Sequence, residues 1–132
     1  MRAGIETGAR ERTGRPAGSP PRGSAAAGVL ALVSRERRVP ERLLLHASRC
    51  REPVALARHL AMYLMHVMLG ESLTDIGLMF GRDRTTVSHA CGRIEDLRDR
   101  PRFDAEVSRL EERIEMLLKK GEELAELTHA DH

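Results

Sequence analysis

Apolar residues recur along this chain at helical spacing. Val29, Leu32 and Val33 share one face of a first segment that stops before Pro40. Residues 41–47 (ERLLLHA) predict a short second helix with Pro40 at its first position, where a missing N–H costs nothing. Between Ala47 and Pro53 the sequence SRCRE offers no apolar anchor and reads as a basic connector. A longer third helix follows. Its Val54, Ala57, Leu60, Ala61, Leu64, Met65 and Met68 lie three and four apart on a core-facing stripe, and Gly70 is its stop.

Ser72 precedes LTDIGLMF, and Asp75 three residues on imitates a capping box. This predicts a fourth helix over about 73–79 that turns Leu73, Ile76 and Met79 or Phe80 inward. Phe80-Gly81-Arg82 breaks it, and Asp83 caps a fifth helix carrying Val87, Ala90, Cys91, Ile94 and Leu97 on one face, with Pro101 as its end. Phe103, Val107, Leu110, Ile114, Leu117 and Leu118 then describe an amphipathic helix of four to five turns. The fold class expected is all-α: a small helical bundle over residues 28–102, an amphipathic helix over 103–127, and tails at 1–27 and 128–132.

Composition agrees. Aromatic residues are 2% of a chain that is 41% hydrophobic, so the core is aliphatic, which suits packed helices better than sheets. The net charge of +2 conceals an uneven distribution. Residues 28–102 hold thirteen Arg against nine acids, whereas 103–132 hold four basic side chains against nine acids. A basic middle before an acidic end suits a nucleic-acid surface followed by a solvated helix. Residues 1–27, rich in Gly, Pro, Arg and Ser, are expected to be disordered. Two readings of that stretch stay open: a basic arm along DNA, and a non-essential tail translated from a start codon set too far upstream, with the second favoured. No apolar run approaches the roughly 20 residues of a membrane span, and no signal core opens the chain. Two cysteines, Cys50 and Cys91, read as free thiols in a reducing cytoplasm.

Two helices joined by a short Gly-containing turn, the second with a polar amino terminus, form a helix-turn-helix pattern over 72–98. In such units the second helix enters the major groove. Arg84 can bond guanine O6 and N7 together, and the methyls of Thr85 and Thr86 can touch thymine. Threonine hydroxyls and the helix terminus can hold phosphate, and Arg82 stands just ahead for the same purpose. Pattern alone separates this only narrowly from an ordinary helical hairpin with a polar cap.

The residues themselves widen that margin. LTDIGLMFGRDRTTVSHACGRIEDL closely resembles the signature of the C-terminal DNA-binding domain of the bacterial replication initiator DnaA, and RHLAMYL at 58–64 is similar to the helix before it. The resemblance spans about residues 28–100. It implies that Asp83, Arg84, Thr85 and Thr86 correspond to the family's Asp, His and two Thr that meet bases and phosphates. A basic residue of the family reaches the minor groove ahead of the long helix. Here Cys50 takes that position, flanked by Arg49 and Arg51. Arg58 matches a backbone-contacting Arg, His66 falls where the family often has Lys, Thr74 matches a backbone contact, and His89 matches the signature's second His.

Departures from the signature limit what is inherited. No Gly-Lys pair occurs, so the phosphate loop of the initiator's ATP-hydrolysing domain has no counterpart. The expectation is a stand-alone reader of double-stranded DNA, cytoplasmic and nucleoid-associated, without cofactor, metal or enzymatic activity. It would act in transcriptional regulation or in control of replication initiation at origin-type sites. His46 with Cys50 and His89 with Cys91 are poorly spaced for zinc, and a buried structural thiol is the simpler reading of Cys91. A different class of function is a helical protein–protein interaction module without DNA affinity. The C-terminal helix leaves open a homodimer or another protein partner, against the favoured alternative that it packs back on its own domain.

The turn has one Gly fewer than the signature, and Arg84 replaces its His with a longer, bidentate cation. Selection on random duplexes should therefore return a site that differs from the family's AT-rich nonamer near that contact, with guanine favoured. Recovery of the unaltered nonamer would count against it.

Overall fold

A computed structural model describes residues 24–45 and 51–130, and among them the fold is six helices without a strand. They are α1 (Ser24–Arg37), α2 (Glu41–Leu45), α3 (Glu52–Leu69), α4 (Leu73–Phe80), α5 (Arg84–Leu97) and α6 (Pro101–Ala130). The expectations for residues 1–23 and for the connector residues 46–50 lie outside the described residues. The apolar pattern placed the start of α1 near Val29, yet Ser24–Ala27 are already helical. Alanine is the strongest helix former, and Gly28 lets α1 run close to α6. A Cβ there would stand 3.1 Å from Leu117 Cδ1.

α3 is the centre of the molecule. Its stripe predicts one buried face, but Ala57, Arg58 and Leu60 through Met65 are all buried. The reason is that α1, α2, α4, α5 and α6 all pack against it, so Met62 and Tyr63 on the remaining faces are enclosed too. Gly70, with φ 71°, ends it in the left-handed conformation that glycine adopts without strain. None of the described helices is long and apolar enough to cross a membrane.

The last helix differs most from its sequence reading. α5 ends at Leu97, and Arg98 closes its final turn through a backbone N–H to Ile94 O at 3.0 Å. Pro101 therefore opens α6 rather than ending α5, consistent with proline's fit at a first helical position. α6 runs 30 residues, about 45 Å at 1.5 Å per residue. Val107, Leu110 and Ile114 are buried in the same core as α1 and α3, so the helix packs back over that part of its length. Leu124 and Leu127 farther along are 58% and 64% exposed.

Arg98 joins α6 to the rest. Its guanidinium donates to Asp104 Oδ1 at 2.6 Å, Glu111 Oε2 at 2.9 Å, Tyr63 Oη at 3.1 Å and Ser108 Oγ at 3.2 Å. The Glu111 and Asp104 bonds outweigh partial desolvation and hold the Arg98 charge more firmly than usual. Arg37 adds a second tie, with Glu106 at 2.9 Å.

Gly77 sets the crossing of α4 and α5. A Cβ there would sit 2.4 Å from the Arg82 carbonyl oxygen, and the Arg82 N–H donates to Gly77 O at 2.8 Å. Gly77→Ala should lower stability by about 1–3 kcal/mol, the usual cost of forcing atoms into a closed contact. Gly92→Ala, in α5 with open space around its Cβ position, should instead raise stability by about 0.4–1 kcal/mol. Urea unfolding of both variants checks the pair, and a neutral Gly77→Ala would refute the constraint.

Candidate nucleic-acid interface

Two capped helix starts and one left-handed glycine form the turn. Ser72 Oγ accepts from Asp75 N at 3.0 Å, as the capping-box reading predicts. Gly81, with φ 70°, reverses the chain after α4. Asp83 Oδ1 then accepts from Thr86 N at 2.8 Å and starts α5. The backbone and hydroxyl of Thr86 hold the Asp83 carboxyl below the usual carboxylate range, so it is ionised and engaged as a cap.

The turn aims α5 outward. Val87, Ala90 and Ile94 face the core, and Arg84, Thr85, Ser88 and His89 are exposed on the other side, with Thr86 half-buried between. Ser88 was not singled out from the sequence. Its place between Thr85 and His89, off the apolar stripe, carried the signal. Arg82 is half-buried just before the helix, and Thr74 is exposed in the first turn of α4. An exposed row of hydroxyls and a cation at a helix amino terminus suits phosphate oxygens and base edges.

The remaining candidates divide. Arg51 is exposed in the position just before α3, and its carbonyl accepts from Ala55 N at 2.9 Å. Arg49 lies outside the described residues. His66 is exposed near the other end of α3, where its Nδ1–H donates to the Glu71 carbonyl at 2.9 Å. It therefore braces the α3–α4 connection, about 21 Å along the helix from Glu52.

Arg58 departs from the expectation of an exposed backbone contact. It is only 4% exposed, and its guanidinium donates to the carbonyls of Leu44 at 2.8 Å and Leu43 at 2.9 Å. Those carbonyls belong to the last turn of α2, where helical carbonyls take partners from outside the helix. A buried cation needs such partners. Arg58 holds the carboxyl end of α2 onto α3.

A side-chain cluster that sequence reasoning missed ties α3 to α5. Arg93 Nη1 donates to His59 Nδ1 at 3.1 Å, and Nη2 donates to Glu52. Burial, then the charges of Arg93 and Arg58, push the His59 pKa down, against Glu52, which raises it. The half-buried thiol of Cys91 is pushed up, chiefly by burial and then by Glu95, so it stays protonated. Among the described residues no three potential metal ligands cluster; His46 and Cys50 are not among them.

The family model for the bacterial dnaA protein helix-turn-helix matches residues 27–94. Chromosomal replication initiator protein DnaA of Chloroflexus aurantiacus is 38% identical over 91 residues, covering 67% of this chain and 19% of that protein. Its counterpart in Lachnoclostridium phytofermentans is 41% identical over 69 residues, 51% of this chain and 14% of the relative. That of Acinetobacter baumannii is 40% identical over 81 residues, 60% and 17% respectively. The chain spans less than a fifth of the length of these relatives.

The His59 environment gives a pH dependence with a defined sign. Its folded pKa lies below the ordinary histidine value, so the unfolded chain takes up the proton first as pH falls. Its contribution to stability is full above about pH 6.5 and declines as pH drops through that value toward the lower folded one. Urea midpoints between about pH 7.5 and about pH 5 should fall less steeply for His59→Gln than for the wild type. Parallel curves would show that His59 is not the group responsible.

Proposed function

Because the chain belongs to the bacterial DnaA helix-turn-helix family, we propose that it binds double-stranded DNA sequence-specifically, with the amino-terminal turn of α5 in the major groove. One observation carries the reading: the Gly77 contact, Gly81 and the Asp83 cap together present Arg84, Thr85, Ser88 and His89 as one exposed polar face. Residues 28–102 are the reading unit, and the buried half of α6 braces it from the core side. The role is binding without catalysis, at origin-type or promoter sites, in control of replication initiation or transcription. Such a protein works beside the chromosome, in the cytoplasm.

Within that face the residues divide by chemistry. Asp83 is engaged as a cap, so base discrimination rests on Arg84 and the adjacent hydroxyls. Arg84 has the fork that matches guanine O6 and N7. Arg51, Arg82 and Thr74 address phosphate or groove edges from the flanks. Arg58 acts from inside, by holding α2 in place.

Gel-shift titration across salt tests the reading. Log K should fall with log salt at about −0.9 per neutralised phosphate. Arg84→Ala should cost about 1–3 kcal/mol at one base pair and relax discrimination there. Arg51→Ala should weaken binding on all sequences alike and flatten the salt slope by about 0.9. Absence of duplex affinity at low salt would favour a protein-interaction module instead.

A further inference from the structure

We infer that Arg93 is a positioning residue for DNA recognition: through Glu52 and His59 it fixes the amino-terminal end of α3, and with it Arg51, against the recognition helix α5. The inference rests on the duplex-reading role proposed above.

The geometry is specific. Arg93 stands on the flank of α5, between the buried face of Val87, Ala90 and Ile94 and the exposed face of Thr85, Ser88 and His89. Its two terminal nitrogens diverge, one to His59 Nδ1 at 3.1 Å and the other to Glu52. Both partners lie on α3, and both are distant in sequence, so the contacts join two elements rather than stiffen one. Glu52 is the first residue of α3, and the Arg51 side chain makes no cap hydrogen bond there. The Arg93 fork therefore tethers a helix end that lacks a side-chain cap.

His59 fits this arrangement only when neutral. Its Nδ1 accepts from Arg93, which places the ring proton on Nε2. Burial and the charges of Arg93, Arg58 and Arg82 disfavour the imidazolium, with Glu52 alone opposing them. A neutral acceptor on one side and a carboxylate on the other set the plane of the guanidinium.

The pair is poorly placed to add stability. Arg93 and Glu52 side chains are 35% and 64% exposed, and ion pairs so open to water contribute little. Their consequence is geometric. Arg51 and the face of α5 address one duplex from two elements, and the spacing of its phosphates and grooves is fixed. A drift of the α3 end would release one contact whenever the other formed.

The rival reading is that Arg93 meets phosphate itself, with Glu52 as its competitor. The two readings differ in sign. Binding of the full chain to the duplex selected by the wild type should be titrated across salt for Arg93→Gln, Glu52→Ala and the double variant. As a positioning contact, each single change should weaken binding about tenfold, equivalent to about 1.4 kcal/mol. For Glu52→Ala this loss would occur although a negative charge is removed. The double variant should be no weaker than either single one, because the pair acts as a unit, and the salt slope should hold. Tighter binding by Glu52→Ala, or a slope flattened by about 0.9 in Arg93→Gln, would overturn the inference in favour of a direct phosphate contact. Hydrogen exchange of the free chain gives a reading that needs no DNA. Amides in the first turns of α3 should exchange faster in Arg93→Gln while those of α5 are unchanged, and equal protection at α3 would sink the tether. A wild-type chain without duplex affinity would remove the DNA-reading role, and the exchange result would still decide whether Arg93 fixes α3.

Discussion

The close approach of Gly77 to the Arg82 carbonyl is the contact on which the exposed polar face of α5 depends. Helices α4 and α5 are joined by a turn of three residues, which brings the Arg82 carbonyl against α4 at a point where this helix carries no side chain. Gly77 provides that gap, with 2.4 Å between its would-be Cβ and the Arg82 oxygen. Gly81 then supplies the positive φ that swings the chain out of α4. Asp83 satisfies the first amides of α5 and fixes where that helix begins. Moving any of these would rotate α5 about its axis. At 100° per residue, even a shift of one position would turn Thr85 and His89 away from the face they share.

Behind the turn, α3 works as a keel. It is buried on nearly all sides, and the polar groups it carries inward are matched by groups from other elements. Arg58 meets two carbonyls of α2, while the Tyr63 hydroxyl accepts from Arg98, which also reaches three side chains of α6. Removing one partner from such a buried set leaves the other unsatisfied, which costs more than the bond itself contributes. α2 and α5 are therefore held to α3 by packing together with a directed polar contact, α2 through Arg58 and α5 through Arg93.

Much of this was legible in the sequence because it is local. Caps at Ser72 and Asp83, stops at Gly70 and Gly81, and the stripe of each middle helix depend on residues within one or two turns. What escaped is what depends on distant partners. An arginine within an apolar pattern reads the same whether its fork is in water or on buried carbonyls, and only the docking of α2 decides for Arg58. Arg93 looks like a solvated charge until α3 brings Glu52 and His59 to it across 41 and 34 residues. Pro101 can end one helix or begin another, and the close of α5 at Arg98 settles which. The extent of α6 was underestimated because its charged second half contributes no further core positions to count.

The arginines show why composition overstates an electrostatic footprint. Residues 28–102 contain thirteen, which as a count suggests a strongly basic surface. Arg37 is paired with Glu106, Arg93 with Glu52 and Arg98 with Asp104 and Glu111, and the buried Arg58 is turned inward onto two carbonyls. Charges neutralised within the fold release few counterions when a duplex arrives, since the phosphate must compete with a carboxylate already in place. At the amino ends of α3 and α5, Arg51 and Arg84 remain exposed. In the proposed duplex role, these two are the exposed cations placed beside the polar face of α5 itself. A duplex reader of the proposed kind would gain more from fixed geometry than from added charge, because each base contact counts only when its neighbours are in register. Several of the arginines inside the fold serve that end by holding helices in place.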